Sequence, residues 1–192
     1  LNDDRPPTSD EMRDMRRLAA EAMDQGAFSL STGLTIVPSS FASTEELVEL
    51  VDAISPYENA FYVTHARVWD HVMAIEEAVE IARRAEVPLQ YSHVGIVDPR
   101  LFGKGSTMVA LFDRARSEGQ DVTFDMYPYI ASSSSLLPLI PEWLEEGGKT
   151  ELARRLRNPK LRRQVREEIE KNWFGGAPIN WDGFVIADMS TD

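Results

Sequence analysis

The sequence contains no cysteine among its 192 residues and only three histidines. The lack of cysteine excludes disulfides, thiolate zinc sites and cysteine nucleophiles within this chain. No apolar run approaches the roughly 20 residues that a membrane helix needs. The polar, acidic opening LNDDRPPTSDEM does not resemble a secretory signal. We therefore expect a protein without membrane association, and a cytoplasmic location fits this composition.

Basic residues are also scarce, since 20 Lys and Arg stand against 32 Asp and Glu, giving a formal net charge of −12. This charge argues against general binding of nucleic acid or of anionic membranes. The exception is the stretch 150–171, where eight basic side chains stand against four glutamates. Leu161, Val165 and Ile169 recur there every four residues, and no aromatic residue interleaves the charges. We interpret the stretch as a solvated amphipathic helix.

Four segments have the apolar spacing of amphipathic helices. They cover residues 12–22, 47–54, 75–82 and 108–115. Thr8 with Glu11, and Ser43 with Glu46, have capping-box spacing ahead of the first two. Before the fourth, FGKGST lacks the spacing of a phosphate-binding loop. We predict instead that Ser106 or Thr107 caps that helix.

Short apolar runs alternate with these helices, at residues 27–32, 60–65, 87–93 and 121–125. Strands that recur at this interval with helices between them predict βα units and a parallel sheet, so the fold class is α/β. A loop rich in Tyr, Ser and Pro follows, then a helical region interrupted by Pro159 and a candidate strand GFVIAD. Four units are too few for an eight-stranded barrel of about 250 residues. The pattern therefore leaves two interpretations, a small open doubly wound sheet or about half of a barrel.

Two of the three histidines, His65 and His93, each end a predicted strand after Thr or Ser. They are separated by one βα repeat, 93 − 65 = 28 residues. Sites in parallel α/β sheets gather at the carboxyl ends of strands, so two imidazoles there could share one metal ion. The alternative is that each is a hydrogen-bonded core residue, and the spacing leaves both open. His71 follows Asp70 near a helix start, and we expect it at the surface.

The loop DMYPYIASS places Tyr127, Tyr129 and Ser133 directly after the last predicted strand. Their hydroxyls could hydrogen-bond a substrate carboxylate or carbonyl at the rim of a site. The alternative is a proline-stiffened loop with its aromatic rings packed inward. The chain has no GxSxG or GxGxxG motif, so neither a serine hydrolase nor a dinucleotide-binding enzyme is supported.

Taken together, these residues resemble the D-aminoacylase (N-acyl-D-amino-acid deacylase) family of the metal-dependent amidohydrolase superfamily. The similar stretches come in the family's order: GAFSLSTGL, STEEL, YVTHAR, AIEEAVEIARRAEVPLQYSHV and DVTFDMYPYIASS. The resemblance implies a TIM-like barrel that hydrolyses the amide of N-acyl-D-amino acids. It further implies that His65 and His93 are zinc ligands, with another divalent metal as an alternative, and that Tyr127 and Ser133 bind substrate.

The family's other functional residues have no counterpart in this sequence. Missing are the His-x-His motif of the first strand, a further metal ligand and the catalytic aspartate of the eighth strand, and Gly95 stands where members often have lysine. We therefore expect an internal segment, roughly strands four to seven, that is inactive alone. Residues 1–135 would form the partial barrel, and residues 136–192 a helical extension towards the missing strand.

Two other functions remain open from the sequence. One is a cyclic-amide hydrolase of the dihydroorotase or hydantoinase kind, and the other is a non-catalytic α/β module. A partial barrel would expose an unpaired strand at each sheet edge, so self-association is an expected partner interaction. The expected ligand is a small N-acyl amino acid.

Overall fold

The computed structural model describes residues 4–67, 71–131, 133–172 and 179–187. The strands are β1 (Ser29–Gly33), β2 (Phe61–His65), β3 (Leu89–Tyr91) and β4 (Val122–Phe124). The helices are α1 (Ser9–Asp24), α2 (Thr44–Asp52), α3 (His71–Arg84), α4 (Gly105–Ser117), α5 (Lys149–Leu156) and α6 (Pro159–Asn172). The predicted α/β class and all four predicted strands are confirmed.

The four strands are parallel and neighbours in the sheet are neighbours in the chain, in the order β1-β2-β3-β4. A doubly wound sheet needs a point where the strand order reverses. The described strands have no such reversal. Right-handed crossovers that always step in one direction place their helices on a single face of the sheet. The described sheet is therefore singly wound.

The core lies between that face and α2–α4. Tyr62, Leu89 and Val122 are in register across β2, β3 and β4, and all three are almost fully buried. They pack against buried helix residues such as Ile75 and Phe112. Burial of these apolar side chains is the main term that stabilises the unit.

The opposite face carries a different row of residues. Ser31, Val63, Gln90 and Thr123 are in register across the four strands. All four are half-buried or exposed, and none belongs to the core cluster. Three of the four are polar, which contrasts with the apolar row under the helices. The sheet therefore has one dry face and one face that accepts water.

The helix starts agree only in part with their predictions. Thr8 caps α1 through a full capping box with Glu11, and Ser43 caps α2 by accepting the Glu46 N–H. The cap predicted for α4 is wrong, because Lys104 is the N-cap and makes no side-chain cap bond. The helix begins at Gly105, so both predicted hydroxyls fall inside its first turn.

The prediction that His71 is a surface residue is wrong. It is the first residue of α3 and is 5% exposed. Its Nε2 accepts the backbone N–H of Val97 at 3.2 Å. The chain after β3 thus crosses the start of α3 and covers the imidazole. The preceding Asp70 lies outside the described residues.

Beyond β4 the chain has little regular structure until α5 and α6. Pro159 begins α6, and Val165 is the buried residue of its apolar face, as the periodicity predicted. The predicted strand GFVIAD is wrong over 183–187: a short 3-10 turn ends at Gly183, and residues 184–187 are irregular. Val185 is 87% exposed and no described strand lies beside it to pair.

Asp188 lies outside the described residues. The division at residue 135 stays a prediction. None of the described helices is both long and apolar enough to cross a membrane.

Candidate metal centre

His65 and His93 meet at the carboxyl edge of the sheet. His65 is the last residue of β2, and His93 follows β3 by two residues. The Nδ1 atom of His65 lies 2.7 Å from the Nε2 atom of His93, and the ring centroids are 4.4 Å apart at an interplanar angle of 68°. One of the two facing nitrogens carries the proton of this hydrogen bond. The structure thus brings together the two histidines that the sequence singled out.

The other nitrogen of His65 has a partner as well. Its Nε2 lies 2.8 Å from the hydroxyl oxygen of Thr35, which follows β1. The Leu34 N–H donates to the carbonyl of His65 at 2.8 Å, so the loop and the strand end are joined twice. When Nε2 carries the proton and donates to Thr35, the Nδ1 lone pair faces His93. The hydroxyl can accept this proton or donate to a bare Nε2, so it serves either tautomer and holds the plane of the ring.

The loop that carries Thr35 is held by Arg67, two residues beyond His65. Its guanidinium donates to the carbonyl of Ser40 at 2.8 Å, to the carbonyl of Ala42, and to Glu77 Oε2 at 3.0 Å. The Arg67 and Glu77 side chains are 24% and 16% exposed. A partly buried ion pair with additional carbonyl acceptors is a rigid brace, because each donor has a fixed direction.

His93 is held differently. Its backbone φ is +42°, a left-handed conformation that is uncommon for residues with a Cβ atom. Its N–H donates to Asp125 Oδ1 at 2.7 Å. Its ring stacks on that of Tyr127, with centroids 5.8 Å apart and planes inclined by 29°. Backbone, carboxylate and aromatic ring together determine where this imidazole points.

Burial and the nearby charge of His93 lower the pKa of His65 below its ordinary value, with burial the larger cause. The neutral imidazole is therefore favoured at neutral pH. Neutral imidazole is also the form that binds a metal ion.

The pair fits a metal ion in its donor chemistry. Two nitrogens bound to one tetrahedral zinc at about 2.0–2.1 Å lie roughly 3.3 Å from each other. The 2.7 Å pair would thus separate by about 0.6 Å to exchange a proton for an ion. Among residues 4–67, 71–131, 133–172 and 179–187, no three His, Asp or Glu side chains are grouped to hold a metal. The described part of the chain offers two nitrogen ligands.

Comparison with known proteins places this geometry in a family. No family model matches the chain. Over 134 residues the chain is 37% identical to a D-aminoacylase, and 34% identical to an N-acyl-D-glutamate deacylase, both of Alcaligenes xylosoxydans xylosoxydans. Each match covers 69% of this chain and 27% of the relative. The chain carries a segment of the D-aminoacylase family. It spans about a quarter of the length of the curated relatives it matches.

Solved D-aminoacylase-family structures agree with this assignment. A D-aminoacylase described as defining a novel subset of amidohydrolases has a TM-score of 0.61 at 36% identity, over 66% of this chain and 27% of that one. The N-acyl-D-glutamate deacylase of Bordetella bronchiseptica, complexed with zinc and a phosphonate mimic of the tetrahedral intermediate, has a TM-score of 0.62 at 31% identity, over 67% and 28%. Another D-aminoacylase structure concerns a binuclear metal centre. The predicted family is confirmed, and these relatives are metal-dependent amide hydrolases.

In this D-aminoacylase segment, the predicted substrate residues lie at different distances from the pair. Tyr127 stacks on His93 and is 44% exposed. Ser133 is exposed, and within the described residues no hydrogen bond or ring contact joins it to the histidines. Tyr129 is 76% exposed. The structure thus brings Tyr127 to the histidine pair, and Ser133 stays a prediction.

Three residues that shape the centre were missed by sequence reasoning: Thr35, Arg67 and Asp125. Asp125 had a usable signal, since it is a carboxylate directly after a predicted strand. Arg67 had a weaker one, as a charge two residues beyond a strand-end histidine. Thr35 had none, because it lies in an irregular loop and its contact spans 30 residues of sequence.

Proposed function

We propose that this chain forms part of the active site of a zinc-dependent amidohydrolase that cleaves the amide of N-acyl-D-amino acids. The observation that carries the proposal is the His65–His93 contact of 2.7 Å at the carboxyl edge of a parallel sheet. The relatives at 34–37% identity, named as D-aminoacylase and deacylases of N-acyl-D-glutamate and N-acyl-D-aspartate, supply the substrate class.

In this proposal Nδ1 of His65 and Nε2 of His93 bind the metal, with their lone pairs facing each other across β2 and β3. Thr35 accepts the Nε2–H of His65 and keeps that proton away from the metal side of the ring. Zinc, when bound, polarises the scissile carbonyl and lowers the pKa of its water towards about 7. The remaining ligands and the catalytic carboxylate come from outside this chain.

Tyr127 and Ser133 are proposed to bind the substrate. The Tyr127 phenol can donate a hydrogen bond to the carboxylate or carbonyl of an N-acyl amino acid. Its ring against His93 keeps that donor beside the metal ligands, where the reacting amide must lie. Ser133 lies further along the same loop and would contact the carboxylate of the substrate, away from the amide that is cleaved.

The strand order supports an architecture as well as a site. Consecutive parallel strands with helices on one face are the arrangement of an arc of a (β/α)8 barrel, so we assign residues 1–135 to such an arc. Residues 136–192 are proposed as a helical extension that leads away from it. β1 and β4 each have one unpaired edge in the described sheet, which suits self-association when the chain is alone. A soluble cytoplasmic protein is part of the same proposal.

The proposal is tested on the protein that contains this segment, by zinc content and by hydrolysis of N-acyl-D-amino acids. His65→Ala and His93→Ala are each expected to remove the bound zinc and the activity. The matched control is His71→Ala, which removes the third histidine and leaves zinc content unchanged. Unchanged zinc and turnover in both His65→Ala and His93→Ala would refute the assignment.

Two further arms separate the competing functions. Hydantoins and dihydroorotate are assayed beside N-acyl-D-amino acids, and turnover of the cyclic amides alone would favour a cyclic-amide hydrolase. The 192-residue chain by itself is expected to bind zinc weakly through the histidine pair and to hydrolyse nothing. If zinc leaves its stability unchanged, a non-catalytic α/β module is favoured.

A further inference from the structure

Asp125 lies directly after β4 and contacts the backbone of His93. Its Oδ1 accepts the His93 N–H at 2.7 Å, and its Oδ2 accepts Nε2 of Gln90 at 2.8 Å. Both carboxylate oxygens are therefore engaged within the protein. Asp125 thus acts through the residues it holds, and one of them is His93.

The backbone of Asp125 takes part in the same junction. Its N–H donates to the carbonyl of Tyr91 at 3.2 Å, and its carbonyl accepts the Val94 N–H at 2.8 Å. Successive N–H groups of a regular strand point to opposite sides, so two adjacent residues do not both donate to one neighbouring strand. Here His93 and Val94 both donate to Asp125, one to the side chain and the other to the carbonyl. Because the Val94 N–H occupies the Asp125 carbonyl, the His93 N–H needs another acceptor, and the Asp125 carboxylate supplies it.

This double contact requires the left-handed turn at His93, whose φ is +42°. Such a conformation crowds the Cβ atom of any residue other than glycine, and it persists only where surrounding contacts enforce it. From this turn the side chain of His93 reaches the end of β2, where it contacts His65. Within the part of the chain that the structure describes, the acceptor of the His93 N–H is the Asp125 carboxylate.

We infer that Asp125 is a positioning residue, which holds His93 in its left-handed turn and thereby aims the imidazole at His65. A test of this inference by zinc affinity rests on the proposed function. A test by the contact between the two imidazole rings does not, because that contact is a property of the metal-free chain.

The test compares two substitutions in the 192-residue chain. In Asp125→Ala, residue 93 loses the acceptor at the turn and returns to an extended conformation, so its ring leaves His65. In Asp125→Asn, the amide oxygen still accepts the His93 N–H. The new amide nitrogen meets Gln90, whose own amide can rotate because the Thr123 hydroxyl beside it can donate or accept.

Nuclear Overhauser contacts between the two imidazoles of the histidine-labelled, metal-free chain are the first readout. They are expected in the unmodified chain and in Asp125→Asn, and are expected to disappear in Asp125→Ala. The second readout is zinc affinity, which should fall by about tenfold in Asp125→Ala, as for other residues that orient a ligand, and be retained in Asp125→Asn.

Asp121→Ala is the matched control, since it removes a carboxylate at the opposite end of the same strand. Its backbone carbonyl, which accepts the Leu89 N–H, is kept. Ring contacts and zinc affinity are expected to stay at their unmodified values. An equal loss in Asp121→Ala would mean that the strand is merely weakened, and would overturn the inference.

Ring contacts that survive in folded Asp125→Ala would also overturn it. If that variant does not fold, a measurement on the unmodified chain replaces it. We expect a scalar coupling across the hydrogen bond between the His93 amide and the carboxylate carbon of Asp125. Absence of this coupling refutes the inference. If zinc binding proves independent of His65 and His93, the proposed function fails, whereas the ring contacts still decide the role of Asp125.

Discussion

His65 and His93 are in direct contact through Nδ1 and Nε2, 2.7 Å apart, although 28 residues separate them in the chain. The register of β2 and β3, which pairs Thr64 with Tyr91, sets both strand ends at the same level. The contact is therefore a consequence of parallel pairing together with the turn at His93.

The first prediction concerns Thr35, whose hydroxyl contacts Nε2 of His65. Thr35→Val keeps the shape of the side chain and removes the hydrogen bond. We expect zinc affinity to fall by about tenfold, because the ring loses the hydrogen-bond partner that holds its plane. Competition with a chromophoric chelator measures this change.

Thr35→Ser is the control for this prediction, since it keeps the hydroxyl and loses only a methyl group. It should bind zinc nearly as the unmodified chain does. Equal affinities in the Val and Ser variants would show that the hydroxyl has no part in orienting His65.

The second prediction concerns Arg67, which braces the loop 35–42. Arg67→Met retains the apolar stem and removes every charged donor to Glu77 and to the two loop carbonyls. Glu77 loses its cationic partner and keeps the hydrogen bond from the Thr44 hydroxyl at 2.7 Å. We expect the free energy of unfolding to fall by about 2 kcal/mol, because hydrogen bonds from a charged group are lost. Urea denaturation measures it, and faster amide exchange in the loop should accompany it.

Arg84→Met provides the comparison, because Arg84 makes two hydrogen bonds to Glu45, a side chain that is 73% exposed. A pair in water contributes less than about 1 kcal/mol. The prediction for Arg67 is contradicted if the two variants lose the same stability.

The third prediction concerns pH and the capping box of α1. Hydrogen bonds from Arg5, and then from Thr8, lower the pKa of Glu11 from its ordinary value of 4.5 to about 2. Because the folded chain lowers this pKa, the carboxylate stabilises the helix start fully above pH 4.5 and loses that effect as the pH falls towards 2. Arg5→Ala should raise the pKa of Glu11, as followed by carboxyl carbon shifts.

Arg13→Ala is the control for this titration, since Arg13 pairs with Asp10 on the same turn and not with Glu11. The pKa of Glu11 should stay near 2 in that variant. A Glu11 pKa that stays near 2 in Arg5→Ala as well would assign the shift to the helix start alone.

The sequence could predict the sheet and the histidine pair because both follow from repetition. Apolar runs at βα intervals predict parallel strands, and parallel strands place their carboxyl ends at one edge. Spacing could therefore place His65 and His93 at one edge of the sheet, although it left open whether they share a site or are separate core residues. The same reasoning could not choose between an open sheet and an arc, because the strand order is set by crossovers that periodicity does not encode.

The remainder of the site depends on irregular backbone. Thr35 reaches His65 from a loop, and Asp125 accepts one N–H at the left-handed turn of His93. A glycine would have indicated such a turn in the sequence, and this position is a histidine. His71 was misplaced for the same reason, since the chain that covers it comes from a loop 26 residues later. Contacts of this kind have no period, so a pattern search does not find them.

The helix-free face of the sheet contributes little to the stability of the isolated chain. Its in-register row is Ser31, Val63, Gln90 and Thr123. A mostly polar row can remain hydrated at little cost, so the apolar contacts that hold the unit folded lie on the helix side alone. Substitutions in this row should therefore change the stability of the 192-residue chain little. In the barrel that we propose, the same face is the interior, which side chains fill, so the row would become part of a second core there.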